Sequence, residues 1–461
     1  MEDNVSIAVL GTGYVGLVSA VCLADTGKNV FCIDKDDEKL NMIKKGIAPI
    51  FEPGLDVLLK KNRKRIFLTK DLRQAVENST VIFIAVGTPF DGEHIDLTGI
   101  KHAAQEIGQV MRTVKGYRVI AVKSTVVPGT TVNVVKPIVL EHSGKTEHDV
   151  GFCMNPEFLR EGCAVEDFSK PDRIVLGVTS KRVEEIMREV YSGYPDTDIV
   201  ITNPSSAEMI KYTANAYLAL TISYANEIAR ICEKVNEVDS EDVFHGVVLD
   251  KRISPVIDDK RIFPQLITYL KAGCGFGGSC FPKDVKALAA FEKDINIEGG
   301  LLETLLLINA QQVEHVFQTG VRFFNGLLKN ITILGTAFKP DTDDIRESPG
   351  VKLAQIALDK GYTVSVHDYA ALENTRKYFG ERVYYYNNPL EAIKDADIIF
   401  VATSWNKYLD ISDAEFEKKM KDGAIMIDCR SLYKQRVHRS WRKRIGVCYE
   451  WRQQGEFIKW K

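Results

Sequence analysis

VSIAVLGTGYVGLVSAVCLADTGKNVFCID occupies residues 5–34 and sets the architecture of the first part of the chain. An apolar run, Val5 to Leu10, leads into a glycine-rich turn, then an apolar helical stretch, and then a second strand that ends at Asp34. Glycines at this spacing let a pyrophosphate approach the helix N-terminus, and the carboxylate can accept hydrogen bonds from both ribose hydroxyls. The pattern predicts a dinucleotide site, and an acidic residue there favours NAD over NADP. The residues assigned to this site are Gly11, Gly13, Tyr14, Val15, Gly16, Asp34 and Lys39.

Two further apolar runs, Val81 to Val86 and Val119 to Val122, are typical of buried parallel strands. They are followed by the polar tips Gly87-Thr88-Pro89 and Lys123-Ser124-Thr125. Ligands of open α/β sheets bind at the carboxyl ends of strands, so Thr88 and Thr125 are expected to line the cofactor cleft. Capping of the next helix is an alternative role for both threonines, and it is compatible with ligand contact.

Bulk composition narrows the class of protein. A chain of 461 residues with 45% hydrophobic and 27% charged residues is expected to form two or three globular domains. The net charge of −3 predicts no nucleic-acid partner. There is no apolar run of membrane-spanning length, and we expect no membrane association. Nine cysteines in a long chain do not suggest a disulfide framework, and the N-terminus has no signal-peptide pattern, so a cytoplasmic location is expected.

The segment 152–162, FCMNPEFLREG, carries two acidic residues four positions apart, Glu157 and Glu161. If the segment is helical, both carboxylates share one face, and paired acids in a cleft can take different protonation states. Two surface glutamates are the commoner explanation for such spacing. The neighbouring Asn-Pro turn and the apolar Phe158 and Leu159 argue against simple exposure.

A long helix is predicted from Ser205 to about Val235, with Ser205 or Ser206 as the N-cap. Lys211 and Asn215 lie on one face of this helix, together with Glu208. They fit either a functional site or a solvated face. The remaining body is strongly apolar, so this helix is also a candidate connector and dimer surface.

The segment 273–284, GCGFGGSCFPKD, combines four glycines with a cysteine and a Pro-Lys-Asp sequence. Cys280 could act as a nucleophile, with Lys283 stabilising its thiolate and Asp284 handling protons. A glycine-rich turn that holds a buried thiol is the alternative interpretation. Upstream, the charge-rich residues 247–270 suggest an irregular excursion.

A second α/β half begins near Ile331 and lacks a complete G-x-G-x-x-G motif. Its basic residues Lys339, Arg346 and Arg430 stand near strand ends, where they suit a phosphorylated ligand or salt bridges. The sequence therefore predicts an α/β fold with two doubly wound Rossmann-like domains, 1–203 and 326–461, joined by a central helical region, 204–325, that contains the long helix. No histidine pairs at metal-ligand spacing are present and Cys274 and Cys280 do not form a C-x-x-C motif, so no metal is predicted.

Taken together, these motifs resemble the UDP-glucose/GDP-mannose dehydrogenase family. The segments that carry the resemblance run in order from about residue 5 to 433: GTGYVG (11–16), GTP (87–89), KST (123–125), NPEFLREG (155–162), PDRIVLG (171–177), KYTANAYLA (211–219), GFGGSCFPKD (275–284) and AFKPDTDDIRESP (337–349). Members of this family have an NAD-binding domain, a central helical dimerisation region and a UDP-binding domain. The resemblance thus implies NAD as cofactor, a UDP-sugar substrate and a homo-oligomer, at least a dimer.

The resemblance also implies a four-electron oxidation of the sugar at C6, from alcohol to carboxylate, with two NAD reduced per sugar. Lys211 and Asn215 would hold and polarise the reacting oxygen, and Cys280 would form a thiohemiacetal and then a thioester. The family residues that activate and place the hydrolytic water match Glu157, Asp284 and Thr125. Family contacts to the cofactor match Glu161, Lys283 and Arg346.

The substrate contacts implied by the resemblance are spread along the chain, and both halves would close over one cleft. They are Phe158, Leu159, Lys211, Asn215, Tyr269, Lys271, Gly277, Phe338, Lys339 and Arg430. In the family an arginine before the glycine loop reaches a neighbouring subunit's site. Arg252 has the matching local sequence, but about ten extra residues follow it, and Arg261 is the alternative.

The uninterrupted SCFPKD and NPEFLREG segments favour UDP-glucose as the sugar nucleotide, with a UDP-N-acetylhexosamine or GDP-mannose as alternatives. A hypothesis of another class is a nucleotide-sugar-binding or redox-sensing protein without turnover. The combination of Cys280, Lys211, Asn215 and Asp284 argues against it, since binding alone does not need all four. A two-electron hydroxyacid dehydrogenase would share the first half but would have no use for Cys280.

Overall fold

The computed structural model of the chain describes residues 5–436 and 439–448. These residues form two compact units, one ending at Ala214 and the other beginning at Asn215. The division falls inside a single 29-residue helix, Pro204–Cys232. Within the described residues, no helix has both the length and the apolar character needed to cross a membrane.

An eight-stranded sheet forms the centre of the first unit, in the order β3-β2-β1-β4-β5-β6-β7-β8. Its strands are β1 (Ile7–Leu10), β2 (Val30–Ile33), β3 (Ile66–Thr69), β4 (Val81–Ile84), β5 (Arg118–Val122), β6 (Val150–Met154), β7 (Ile174–Val178) and β8 (Ile199–Thr202). The first six strands are parallel, while β7 runs antiparallel to β6 and parallel to β8. The order reverses between β1 and β4, and such a switch point creates a crevice at the strand ends.

Helices cover both faces of this sheet. They are α1 (Tyr14–Asp25), α2 (Asp37–Lys44), α3 (Leu55–Lys61), α4 (Leu72–Glu77), α5 (Thr98–Met111), α6 (Lys136–Ser143), α7 (Ala164–Ser169) and α8 (Lys181–Val190). Neighbouring residues of β1 belong to different hydrophobic clusters, with Ile7 and Val9 on one side and Ala8 on the other. Burial on both faces explains why the strands are continuous apolar runs rather than alternating ones.

The long helix, α9 (Pro204–Cys232), has nearly the predicted length. Its start differs from the prediction, because the side chain of Asn203 accepts a hydrogen bond from the backbone N–H of Ser206 at 2.9 Å. Asn203 therefore caps the helix in place of Ser205 or Ser206, and Pro204 supplies the first helical residue, where its missing N–H costs nothing.

The second unit contains a short hairpin and a second parallel sheet. Its strands are β9 (Val256–Ile257), β10 (Lys260–Arg261), β11 (Asn330–Leu334), β12 (Thr363–His367), β13 (Tyr384–Tyr385), β14 (Ile398–Val401), β15 (Ile425–Asp428) and β16 (Arg442–Arg444). Its helices after α9 are α10 (Ser240–Val248), α11 (Phe281–Asp294), α12 (Leu301–Phe323), α13 (Pro349–Asp359), α14 (Leu372–Phe379), α15 (Pro389–Ala392) and α16 (Asp413–Lys419). The sheet order is β13-β12-β11-β14-β15-β16, which repeats the order of the first six strands of the chain. The prediction of two Rossmann-like halves is thereby confirmed.

Between these halves in the sequence lie the helices α10 to α12, as predicted. The charge-rich stretch before the glycine loop is more ordered than predicted, because β9 and β10 pair as an antiparallel hairpin. The two residues of its turn, Asp258 and Asp259, have φ of 49° and 58°. Aspartate tolerates this left-handed conformation, and two such residues in succession form the turn that suits a tight hairpin.

Candidate active site

The glycine-rich turn after β1 is built for close contact between backbone segments. Gly11 has φ of +102°, and a Cβ at this position would lie 2.6 Å from the carbonyl oxygen of Ala85. A Cβ on Gly16, in the first turn of α1, would collide with the carbonyl of Gly11. A Cβ on Gly13 would meet nothing within 4 Å, so the backbone there is open to a ligand. Together with Val15 in α1, this turn fits a pyrophosphate at the helix N-terminus.

Asp34 follows β2 directly, at the same edge of the sheet. Its carboxylate accepts hydrogen bonds from the backbone N–H and the hydroxyl of Thr12, at 2.9 and 2.6 Å. Burial alone would raise its pKa, but the hydrogen bonds from Thr12 and Asp36 and the charge of Lys39 lower the pKa of Asp34. An ionised carboxylate fixed next to the glycine turn can accept from ribose hydroxyls, so these residues fit NAD.

Tyr14, the first residue of α1, is tied to residues that the sequence did not single out. Its hydroxyl is hydrogen-bonded to Glu52, and the backbone N–H of Gly162 donates to both the Tyr14 hydroxyl, at 3.1 Å, and Glu52, at 2.8 Å. Burial and the Glu52 carboxylate raise the pKa of Tyr14, with a further contribution from the charge of Glu161. Glu161 therefore lies close enough to Tyr14 to act on its charge, and Glu52 joins Tyr14 to the backbone of Gly162.

Hydrogen bonds join the segments that follow β4 and β5. The hydroxyl of Thr88 donates to the carbonyl of Thr125 at 2.8 Å, and that of Ser124 donates to the carbonyl of Val86 at 2.7 Å. Both threonines thus stand at the carboxyl edge of the sheet, as predicted. Thr88 precedes no helix directly, since α5 begins at Thr98.

Glu157 and Lys211 form a buried ion pair with a 3.0 Å separation between Oε1 and Nζ. The other carboxylate oxygen of Glu157 accepts from the backbone N–H of Leu159 at 2.5 Å. Burial by itself raises the pKa of a carboxyl, but the charge of Lys211, the Leu159 N–H and the charge of Lys123 hold the pKa of Glu157 below its ordinary value. The centre of the Phe158 ring lies 3.6 Å from the Arg173 guanidinium and 5.5 Å from the Lys211 ammonium.

The condition under which Glu157 and Glu161 would share a helix face is not met. Residues 155–160 have no regular secondary structure, and α7 begins only at Ala164. Pro156 disfavours the helical conformation for Asn155, whose side chain is buried and donates to the carbonyl of Val175 at 2.9 Å. Glu157 is consequently directed to Lys211, not paired with the second glutamate.

Cys280 lies immediately before α11, at its N-cap position. Its sulfur is 3.5 Å from the hydroxyl of Ser279, and the backbone N–H of Asp284 donates to its carbonyl at 2.8 Å. The positive end of the helix dipole favours a thiolate at such a position. Of the nine cysteines, all of which are free thiols, only Cys280 and Cys163 are partly exposed.

Asp284, one turn after Cys280, is almost completely buried and has two partners. Asn215 donates to one carboxylate oxygen at 2.6 Å, and the Lys283 ammonium lies 2.6 Å from the other. The Lys283 ammonium is thus paired with the Asp284 carboxylate. Asn215 and Lys211 are one turn apart on α9.

Three buried amides that the sequence did not single out hold the start of the glycine loop. Asn309 makes two hydrogen bonds with the backbone of Phe276, at 2.8 and 3.1 Å. Gln312 donates to the carbonyl of Gly273 at 2.6 Å, and Asn226 accepts from its N–H at 2.9 Å. These contacts fix the backbone that leads to Cys280. The signal in the sequence that could have identified these three amides is their position within otherwise apolar helices.

The second half of the glycine loop packs against the segment that follows β11. A Cβ on Gly278 would lie 2.7 Å from the ring of Phe338, and one on Gly277 would collide with the carbonyl of Glu347. The backbone N–H of Gly278 donates to the carbonyl of Arg346 at 2.9 Å. Gly277 and Phe338, two predicted substrate residues, thus both lie where the glycine loop before Cys280 packs against the segment after β11.

The predicted basic residues of this unit differ in their partners. Arg430 donates to the carbonyls of Ala402 and Gly275, at 2.8 and 3.0 Å, so it joins β14 and β15 to the glycine loop. Arg346 is exposed and paired with Asp344 at 2.7 Å, and Lys339 lies 5.9 Å from the ring of Phe338. Before the loop, the ring of Tyr269 is 6.4 Å from that of Phe281, while Lys271 is exposed at the surface.

The two alternative arginines are clearly distinguished. Arg261 donates to the carbonyls of Leu249 and Ser254, at 2.7 and 2.9 Å, and thereby closes the base of the β9–β10 hairpin. Arg252 is 89% exposed and is held by Asp250 at 2.5 Å. Within residues 5–436 and 439–448, no group of three or more His, Cys, Asp or Glu side chains could hold a metal ion.

Models of three domains of one family match the chain in order. They are the NAD binding domain (residues 5–194), the central domain (205–311) and the UDP binding domain (332–435) of the UDP-glucose/GDP-mannose dehydrogenase family. The first match establishes NAD as the cofactor, and the third supports a UDP-sugar as the ligand of the second half.

Similar proteins include a UDP-glucose 6-dehydrogenase from Rhizobium meliloti, 40% identical over 93% of this chain and 96% of the relative. UDP-glucose 6-dehydrogenase TuaD from Bacillus subtilis is 39% identical, over 93% of this chain and 89% of the relative. A solved UDP-glucose dehydrogenase from Pyrobaculum islandicum superposes with a TM-score of 0.85 at 35% identity, covering 94% and 96% of the two chains. The chain therefore belongs to the UDP-glucose/GDP-mannose dehydrogenase family.

Proposed function

We propose that this chain oxidises UDP-glucose to UDP-glucuronate, reducing two NAD per sugar, with Cys280 as the covalent nucleophile. The observation that carries the proposal is the constellation at the start of α11. A partly exposed cysteine occupies the N-cap position, and a buried carboxylate one turn later is fixed by Asn215 and Lys283. Relatives named UDP-glucose 6-dehydrogenase, similar over more than 90% of the chain, support the choice of sugar.

Bound NAD supplies the hydride acceptor for both oxidations. In this chain the residues that hold it are the glycine turn of residues 11–16, Asp34 and Thr88, with Lys39, Thr125, Glu161, Lys283 and Arg346 as further contacts. The open backbone at Gly13 and the ionised carboxylate of Asp34 support this assignment.

In the first oxidation the C6 hydroxyl loses its proton to a base while C6 loses hydride. Lys211 and Asn215 hold and polarise that oxygen in our proposal. The sulfur of Cys280 then bonds to the aldehyde carbon as the C=O π bond opens, and the oxygen gains the proton that the thiol loses. This gives a thiohemiacetal and keeps the aldehyde from escaping. Loss of a second hydride and of the hydroxyl proton gives a thioester. Water cleaves its C–S bond and releases carboxylate and thiol, with Glu157, Asp284 and Thr125 placing and activating that water.

The substrate contacts proposed in addition are Phe158, Leu159, Tyr269, Lys271, Gly277, Phe338, Lys339 and Arg430. For the arginine that reaches a neighbouring subunit's site we propose Arg252. Its high exposure leaves it able to extend, whereas Arg261 donates to the carbonyls of Leu249 and Ser254 in its own chain.

A comparison of sugar nucleotides, each assayed separately, tests the substrate assignment. We expect kcat/KM for UDP-glucose to exceed that for GDP-mannose and for UDP-N-acetylglucosamine by about 100-fold or more, because unpaired polar groups in a specific site are costly. Initial rates of NADH formation, measured with each nucleotide at equal concentration, provide the comparison. A preference for one of the other nucleotides would keep the mechanism but overturn the assignment of the sugar.

We further propose that the chain forms a homodimer through α9. Tyr217, Tyr224 and Ile231 recur at seven-residue intervals and are each exposed by 52–54%. Residues spaced by seven lie on one helix face, and a continuous apolar stripe of this kind marks an interaction surface. The family resemblance makes a second copy of the chain the occupant.

Tyr224→Glu should shift the protein from dimer to monomer in sedimentation velocity at micromolar concentration, because a carboxylate would be buried without a partner at the interface. Tyr378→Glu is the matched control, since this tyrosine on α14 is 54% exposed and lies outside the stripe. It should leave the sedimentation coefficient unchanged. A monomeric wild-type protein would rule out this interface.

A further inference from the structure

Lys123, the first residue after β5, is a buried lysine that the mechanism above does not use. It is only 3% exposed, and its Nζ donates to the side-chain oxygen of Asn155 at 3.1 Å. Its ammonium also lies 5.8 and 5.7 Å from the rings of Phe83 and Phe168. In the described part of the chain, no carboxylate is within ion-pair distance of it. Lysines are rarely buried without such a partner, so a reason for the charge is required.

Asn155 is itself fixed, so the position of Lys123 is well determined. The side-chain oxygen of Asn155 also accepts from the hydroxyl of Tyr191 at 2.5 Å, and its amide donates to the carbonyl of Val175. Every group in this chain of hydrogen bonds is buried. The network therefore holds an ammonium at a defined point behind the segment that carries Glu157.

The charged groups whose fields act on Lys123 are Glu157 and Lys211, the two members of the buried ion pair. The titratable groups around them are Cys153 on β6, and Tyr191 with Tyr194 beyond it; burial raises the pKa of all three. Burial lowers the pKa of Lys123 itself to about 8, with Glu157 opposing and Lys211 adding to this effect. Three charges, two positive and one negative, thus share one buried region.

We propose that Lys123 is a positioning residue whose buried ammonium sets the protonation of the Glu157–Lys211 pair, and with it the position of the acidic limb of the first oxidation. The proposal rests on the assignment of that pair to the reaction. A nearby positive charge stabilises the carboxylate of Glu157 and disfavours a second ammonium at Lys211. Both effects favour loss of a proton from the pair, so the direction is the same whichever member takes the proton from the substrate.

Lys123→Met removes the charge and keeps the length of the side chain. The rate of the first NADH formed in a single turnover should be measured between pH 5 and 10. We expect the acidic limb of this profile to move to higher pH by about one unit, because the pair holds its proton more tightly when the nearby positive charge is gone. A shift of this size is small compared with the interaction energy of charges in a buried site. Lys123→Gln, which keeps a donor for Asn155, should show the same shift and serves if the methionine variant does not fold.

Tyr191→Phe is the control for disruption without a change of charge, because it removes only the hydrogen bond to Asn155. Its profile should match that of the wild type. An unshifted profile in both Lys123 variants would overturn the proposal. If Glu157→Gln and Lys211→Met instead retain wild-type activity, the assignment of the pair fails. Loss of activity in those two variants, combined with no shift at Lys123, refutes the role of Lys123 alone.

Discussion

Replacing Cys280 by serine should lower the rate of UDP-glucuronate formation by a factor on the order of 10⁴ while UDP-glucose and NADH still bind. A hydroxyl is a far weaker nucleophile than a thiol near neutral pH, and the position at the start of α11 favours a thiolate specifically. Without the thiohemiacetal, the aldehyde cannot enter the second oxidation as an adduct of the protein.

Cys163→Ser is the matched control for this experiment, because Cys163 is the other partly exposed thiol of the chain. It should keep wild-type turnover. Binding can be followed by the quenching of protein fluorescence, with dissociation constants expected within about threefold of the wild type. Turnover above a few per cent in Cys280→Ser would contradict covalent catalysis, and equal losses in both variants would indicate a general effect of cysteine replacement.

Neutralising one member of the Glu157–Lys211 pair should lower both the free energy of unfolding and kcat by large amounts. Each member is buried, so Lys211→Met or Glu157→Gln leaves a charge without its partner in the interior. Loss of one partner of a buried pair costs about 3–5 kcal/mol of unfolding free energy. We expect kcat to fall by about 10²- to 10⁴-fold in either variant, as is typical when an acid–base group is lost.

The double variant Glu157→Gln/Lys211→Met distinguishes these two effects. The double variant removes both charges of the pair and leaves only Lys123, which Asn155 holds, so the urea midpoint should recover part of the way toward that of the wild type while kcat stays low. Lys181→Met is the control, since it removes a surface lysine, 72% exposed, from its pair with Glu184 on α8 and should change stability by less than about 1 kcal/mol. Recovery of activity in the double variant would show that the pair serves stability only.

Local sequence patterns were sufficient for the parts of the fold and site that depend on backbone chemistry. The glycine turn, the strand before it and Asp34 are close in sequence, and Gly11 and Gly16 are required because a Cβ at either position would collide with the backbone. The second Rossmann-like half was also predictable, because its central strands β11, β14 and β15 are buried along nearly their whole length and are rich in apolar residues. The hairpin of β9 and β10 was missed, although two successive aspartates, a residue type that tolerates the left-handed conformation, were a usable signal.

Partnerships between buried polar residues could not be predicted in the same way. Glu157 and Lys211, Asp284 and Asn215, and Asn309 with the glycine loop are pairs far apart in sequence, and no periodicity connects them. The interaction of Tyr14 with Glu52 is of the same kind. Such contacts arise only when packing closes and each buried polar group must find a partner.

The ratio of NADH formed to UDP-glucose consumed, with limiting sugar nucleotide and excess NAD, tests the four-electron mechanism most directly. The proposed path through a thioester on Cys280 predicts about two NADH for each UDP-glucose. The ratio can be obtained from the absorbance of NADH at the end of the reaction and the quantity of UDP-glucuronate recovered. A ratio of about one would mean that the reaction stops at the aldehyde, and it would contradict the role assigned to Cys280.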